Sequence, residues 1–244
     1  MTQLILVRHG ESTGNVAAAQ AHAALSEAIT MDVRDADAPL SPTGAEQARA
    51  LGRGLRHLEP ALAPTRVWCS TYVRAQQTAE LALAASRLDL PIVIDERLRD
   101  RELGVLDLLT SRGVEARFPM EAARRRWLGK FYHRPPGGES WADVMLRVRS
   151  VLSDLVAAEP GERVMVVCHD ALVLAFRYVC EAMSETQVLD VQLADPVKNV
   201  SITRLERRDG ERAWTLLAYN DVSHLTDTAV PVTSHPGERD VHPH

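Results

Sequence analysis

Short apolar runs recur at wide intervals along the chain: Leu4-Ile5-Leu6-Val7, Arg66-Val67-Trp68-Cys69, Ile92-Val93-Ile94 and Val164-Met165-Val166-Val167-Cys168. Brief runs without polar alternation predict strands buried on both faces. Between them the pattern lengthens to helical spacing, which predicts helices over Thr43–Leu58, Tyr72–Ala85, Glu139–Ala158 and Ala171–Met183. The first opens at Ser41-Pro42-Thr43, where a serine cap precedes a proline in the first turn. A further helix is expected over Arg112–Phe131, inside an insertion at about residues 105–138. Ser201–Glu206 and Trp214–Tyr219 flank the turn-like Arg208-Asp209-Gly210 and read as a hairpin. The alternation implies an α/β fold, a three-layer α/β/α sandwich with a largely parallel central sheet. After Leu225 the apolar period stops, so a single domain over residues 1–225 is expected, followed by a flexible tail over 226–244.

A chain of 244 residues with 45% hydrophobic content can bury one full core. Its net charge of -5 gives no footprint for nucleic acid or an anionic membrane. An anionic ligand must therefore be held locally, by a few cations. The start of the chain has neither a basic leader nor a long apolar run, and the cytoplasm is the expected compartment. Cys69, Cys168 and Cys180 lack CxxC spacing and read as reduced core thiols, not as a disulfide or zinc framework.

Open parallel sheets bind ligands beyond the carboxyl ends of their strands. Here those positions hold Arg8-His9-Gly10, then Ser70 with Arg74, then Asp95 to Glu102, then His169-Asp170. Two histidines, two arginines and several carboxylates meeting at one edge suit phosphoryl transfer. Phosphate-monoester hydrolysis needs acceleration of up to ~10²¹-fold, and a covalent route divides that barrier. A neutral imidazole can attack phosphorus, a role open to His9, with Gly10 allowing close approach of the backbone. Arg8 and Arg74 can fork phosphate oxygens, with His169 as a third donor. Asp100 or Glu102 can protonate the leaving alkoxide.

These residues lie within motifs that resemble the histidine phosphatase superfamily, the phosphoglycerate-mutase-like proteins. The motifs are Leu6-Val7-Arg8-His9-Gly10-Glu11-Ser12 with Asn15; Leu40-Ser41-Pro42-Thr43-Gly44 with Gln47-Ala48; and Ser70-Thr71-Tyr72-Val73-Arg74-Ala75-Gln76-Gln77-Thr78. They continue through Leu98-Arg99-Asp100-Arg101-Glu102-Leu103-Gly104, Pro136-Gly137-Gly138-Glu139-Ser140 and Val166-Val167-Cys168-His169. The resemblance implies a phosphoglycerate-mutase-like fold. It implies His9 as the phosphorylated residue, Arg8, Arg74 and His169 as the phosphate pocket, and Asn15 as an auxiliary contact. It implies no metal and no organic cofactor, and homodimers are frequent in the family. Two positions depart from the family's pattern. Asp100 stands where a glutamate is usual, with Glu102 two residues on. Asp170 replaces a small residue after His169, where it could cap the next helix or orient His169 and raise its pKa.

The expected activity is hydrolysis of a phosphorylated small molecule, a phosphoric monoester hydrolase of the histidine acid phosphatase type. A phosphoglycerate-type mutase is the alternative. The insertion does not show the basic and aromatic pattern usual in mutases. A non-catalytic phospho-ligand-binding protein comes last, because the nucleophile and clamps are all kept. Among the remaining residues, Ser12 can cap a helix and Thr78 can simply pack. Arg99 and Arg101 fit a second anionic group or solvent equally well. Arg124-Arg125-Arg126 reads as a solvated helix face, and Trp127, Phe131 and Trp141 as core. His22, His57, His133 and His224 show no partner pattern.

Overall fold

A computed structural model describes residues 2–157, 161–208, 210–211, 213–226 and 228–235. The apolar runs form β1 (Thr2–Arg8), β2 (Arg66–Ser70), β3 (Ile92–Asp95) and β4 (Arg163–Cys168), and the hairpin supplies β5 (Ile202–Arg207) and β6 (Thr215–Asp221). The helices are α1 (Thr13–Ala23), α2 (Pro42–Arg56), α3 (Val73–Ser86), α4 (Ser111–Arg117), α5 (Pro119–Tyr132), α6 (Trp141–Val156), α7 (Asp170–Cys180), α8 (Glu185–Ala194) and α9 (Ser223–Thr226). The sheet order is β3-β2-β4-β1-β5-β6. The first four strands in that order are parallel, and β5 and β6 run antiparallel.

Successive side chains on a strand face opposite ways, and here both faces are dry. Leu4 and Leu6 of β1 and Val164 and Val166 of β4 pack with Val144, Val148 and Phe176 of α6 and α7. Ile5, Val7, Met165 and Val167 pack on the other side with Leu51, Leu55, Ala75 and Ala79 of α2 and α3. This double burial is why β1, β2 and β4 read as unbroken apolar runs; β3, expected to be buried on both faces, lies at the sheet edge and leaves Val93 and Ile94 exposed. Phe176 is fully buried. Phe176→Ala is expected to cost about 3–5 kcal/mol, read from the urea midpoint.

The three-layer α/β arrangement agrees with the sequence reading, and the differences are local. Helices α1 and α8 are absent from that reading because neither carries an apolar stripe. Their starts are fixed by reciprocal capping, Ser12 with Asn15 and Ser184 with Gln187. The single helix expected over Arg112–Phe131 divides at Phe118-Pro119, since proline disfavours a helical residue before it. Trp127, read as core, is 88% exposed, whereas Phe131 and Trp141 are buried as expected. Asp209 of the hairpin turn and Ala158 at the end of the third predicted helix lie outside the described residues.

The largest departure is at the carboxyl end. Residues 228–235, read as part of a flexible tail, are tied to the body of the domain. Gln47 Nε2 donates to Pro231 O and Thr233 Oγ1, and Asn199 N donates to Thr233 O. Polar, proline-containing sequence can be anchored by hydrogen bonds to partners distant in the chain, and apolar period does not register them. The rest of the expected tail, 236–244, lies outside the described residues. No helix among the described residues is long and apolar enough to cross a membrane.

Candidate active site

The two central strands deliver the two histidines side by side. Arg8 pairs with Cys168 in the β1–β4 register, so the next residues, His9 and His169, emerge together. Their ring centroids are 5.1 Å apart, and His9 N donates to Cys168 O at 2.9 Å. Arg74 arrives from the first turn of α3, just beyond β2. Asp100 and Glu102 follow the short turn after β3. His9, Arg74, Asp100 and Glu102 border one cavity of about 860 Å³, together with Arg8 and Asn15, whereas His169 is fully buried beside His9.

Two neighbours fix the tautomer of His9. Nδ1 lies 2.7 Å from Gly10 O, which can only accept, so Nδ1 carries the proton. Nε2 accepts a hydrogen bond from Arg74 Nε at 3.2 Å, so it presents a lone pair. Burial, followed by the charges of Arg74, His169 and Arg8, pushes the His9 pKa well below its ordinary value. His9 is therefore neutral at pH 7, with its unprotonated nitrogen turned toward Arg74. Gly10 also serves the packing of the chain. A Cβ there would come within 2.6 Å of Gly44 O, so its lack of a side chain permits close approach to the start of α2.

His169 is fully buried, with Nε2 2.8 Å from Ser70 Oγ. Its Nδ1 is 3.3 Å from Asp100 Oδ2, at ion-pair distance but off the line of a hydrogen bond. Burial lowers its pKa, with Asp100 pulling the other way. Asp170 does not orient it, and the option of a raised pKa fails. Asp170 Oδ1 instead accepts from Ala171 N in the first turn of α7. Arg8 directs NH1 to Val197 O and NH2 to His235 O. Its Nε is buried and has no hydrogen-bond partner among the described residues. Asn15 borders the cavity, but its Oδ1 serves the α1 cap through Ser12 N.

The two carboxylates differ in setting. Burial would raise the Asp100 pKa, but His169 and the Arg74 guanidinium outweigh it and hold the carboxyl well below the usual range. Glu102 Oε1 accepts from Tyr72 Oη at 3.0 Å, and its side chain is nearly half exposed. Sequence reasoning passed over the support of this loop. Arg147 donates to the backbone oxygens of Arg97, Arg99 and Asp100, and Glu139 holds Arg99, Arg147 and the Glu102 backbone. Glu139 lay within a recognised motif, whereas Arg147 had no signal beyond its place in a helix. Also missed were Asp35, which pairs with Arg74, and His133, which is buried beside Glu121 on the cavity wall.

Residues 4–222 match the histidine phosphatase superfamily (branch 1). The chain belongs to that superfamily. Among its relatives, a 2,3-bisphosphoglycerate-dependent phosphoglycerate mutase of Methylobacterium radiotolerans is 33% identical over 193 residues, 78% of this chain and 84% of the relative. The mycobacterial glucosyl-3-phosphoglycerate phosphatase complexed with VO3 superposes with a TM-score of 0.67 at 28% identity, covering 89% of this chain and 98% of its own. A putative α-ribazole-5′-P phosphatase of Escherichia coli shares the fold, with a TM-score of 0.73 at 21% identity over 90% of this chain and 96% of that one. The superfamily thus includes both mutases and phosphatases, and the Arg-His-Gly residues of this histidine phosphatase-like chain lie inside the matched region.

Burial also makes the fold sensitive to acid. Among the described residues His224 has no hydrogen-bond partner on either ring nitrogen, and burial pulls its pKa down to about 4. His9, His133 and His169 are shifted in the same direction. Below about pH 6.5 the unfolded chain binds more protons at these sites than the folded one, so stability falls as pH drops from there toward the folded values. His224→Leu should flatten the part of that decline between about pH 6.5 and 4, as measured by urea unfolding across the range.

Proposed function

We propose that the protein is a metal-independent phosphomonoesterase acting on a phosphorylated small molecule through a phosphohistidine on His9. The observation that carries this reading is the state of His9: neutral, in the tautomer that presents Nε2, and in contact with a guanidinium that can bind the transferring group. Arg8 borders the same cavity, and its Nε–H has no acceptor among the described residues, so that a phosphoryl oxygen can satisfy it.

In this scheme His9 Nε2 attacks phosphorus while Arg74 and Arg8 neutralise the phosphoryl oxygens, with His169 as a third donor. Asp100 gives a proton to the leaving oxygen, and then, as a carboxylate, activates water against the phosphohistidine. The bound dianion must raise the Asp100 pKa for the first of these steps. Glu102, on the same loop and more exposed, is the alternative acid.

A mutase would return the phosphoryl group to a second position of the substrate, and the relative from Methylobacterium gives that reading some support. The deciding experiment is a screen of phosphorylated metabolites for released phosphate, run beside a 3-phosphoglycerate mutase assay primed with 2,3-bisphosphoglycerate. Phosphate release exceeding isomerisation on the best substrate supports the phosphatase; the reverse ratio assigns a mutase. Among the described residues no group of three or more His, Cys, Asp or Glu is placed to hold a metal ion. Activity should therefore survive excess EDTA, and vanadate should inhibit competitively with substrate. Loss of activity in chelator, restored by a divalent cation, would overturn metal independence.

A further inference from the structure

A guanidinium has five N–H bonds, and every one on Arg74 is engaged. Nε–H goes to His9 Nε2. NH1 donates to the backbone oxygen of Asp35 at 2.6 Å and to its Oδ1 at 3.2 Å. NH2 donates to Asp35 Oδ2 at 3.0 Å and to Asp100 Oδ2 at 3.2 Å. The Asp35 carboxylate thus spans both terminal nitrogens, the arrangement that an arginine fork offers to two phosphoryl oxygens. A phosphoryl group cannot take that fork until one of the carboxylates leaves it.

The two carboxylates are not equally free to leave. Asp100 sits on the loop pinned by Arg147 and faces buried His169. Asp35 lies in a short 3-10 turn within the connection from α1 to α2. The ends of that connection are held: Ile29 N donates to Leu108 O, and Leu40 N donates to Gln77 Oε1. Its middle, Asp32 to Arg34, is exposed. Arg34 bonds only locally, with Asp37. Among the described residues, the hydrogen bonds from Arg34–Asp37 to the body of the domain all go to Arg74.

We propose that Asp35 is an internal occupant of the phosphate fork, which incoming substrate displaces and which sets the affinity of the site for a phosphoryl dianion. The proposal rests on the phosphate-pocket reading of Arg74. With no ligand present, Asp35 keeps a buried guanidinium neutralised, since leaving such a charge alone is costly. With ligand, a dianion replaces a monoanion on the same nitrogens. After turnover, the return of Asp35 to Arg74 favours departure of inorganic phosphate.

The test is calorimetric titration of inorganic phosphate into the full chain, which needs no turnover. Asp35→Asn and Asp35→Ala should each bind phosphate about tenfold more tightly than wild type, because the competing charge is gone. Asp37→Asn, which alters the same turn without touching Arg74, should bind within about twofold of wild type. Unchanged or weaker binding in both Asp35 variants, if their thermal unfolding matches wild type, would overturn the proposal while leaving the pocket in place. An equal gain in Asp37→Asn would overturn it too, since loosening of the turn would then be the cause. Absence of phosphate binding in wild type and all variants would reject the pocket reading itself, and the proposal with it.

Discussion

Phosphate release by the His9→Ala chain is expected to fall below about one per cent of the wild-type rate, a rise in the barrier of ~3 kcal/mol or more. The reason is positional. Among the described residues, Nε2 of His9 is the imidazole nitrogen that lies against Arg74 with its lone pair presented. His169, 5.1 Å away between ring centroids, has its Nε2 bound to Ser70 and its Nδ1 facing Asp100, so it cannot take over the attack. Water entering the gap would lack the covalent route. The assay is phosphate release on the best substrate from the screen, with circular dichroism to show that the variant is folded. A rate above the one per cent level would move the nucleophile elsewhere.

Asp100→Asn should produce the second large effect, and an asymmetric one. An alkyl phosphate has a poor leaving group and should lose about 10²–10⁴-fold, the usual worth of general acid–base catalysis. p-Nitrophenyl phosphate, whose phenolate departs without a proton, should lose much less in phosphorylation. Asp100 is held ionised in the free protein by His169 and Arg74, against its own burial. It can serve as the acid only when a bound dianion offsets the Arg74 charge, and that dependence predicts the asymmetry. Glu102→Gln, measured with the same two esters, should change both modestly. If the selective loss appears in Glu102→Gln instead, the exposed carboxylate is the donor. Equal losses on both esters in both variants would remove this loop from proton transfer.

Much of the site could be read from the sequence because strand ends in a parallel sheet must share one edge. Arg8-His9 and His169 follow neighbouring strands, and a paired register leaves their histidines no choice but to meet. Arg74 was legible for a related reason, being in the first turn of the helix after β2. The contacts that escaped join segments with no periodic relation. Asp35 sits in an irregular connection whose only marks are its charges. His235 lies at the end of a polar stretch, yet its Nε2 reaches Glu11 Oε2 at 3.0 Å while its backbone oxygen accepts from Arg8. Arg147 is one of two arginines on its helix, and only the path of the 97–102 loop picks it out. Apolar period registers what a sheet and its helices bury. It does not register a loop held by hydrogen bonds.

Rapid-quench trapping of the phosphoenzyme tests the central claim most directly. Protein mixed with ³²P-labelled substrate should carry label that is lost in acid, is stable in alkali and maps to the peptide containing His9. The label should be absent from His9→Ala. Acid-stable label on a serine, or stoichiometric turnover with no protein-bound label at any quench time in a pre-steady-state burst, would contradict covalent catalysis by His9.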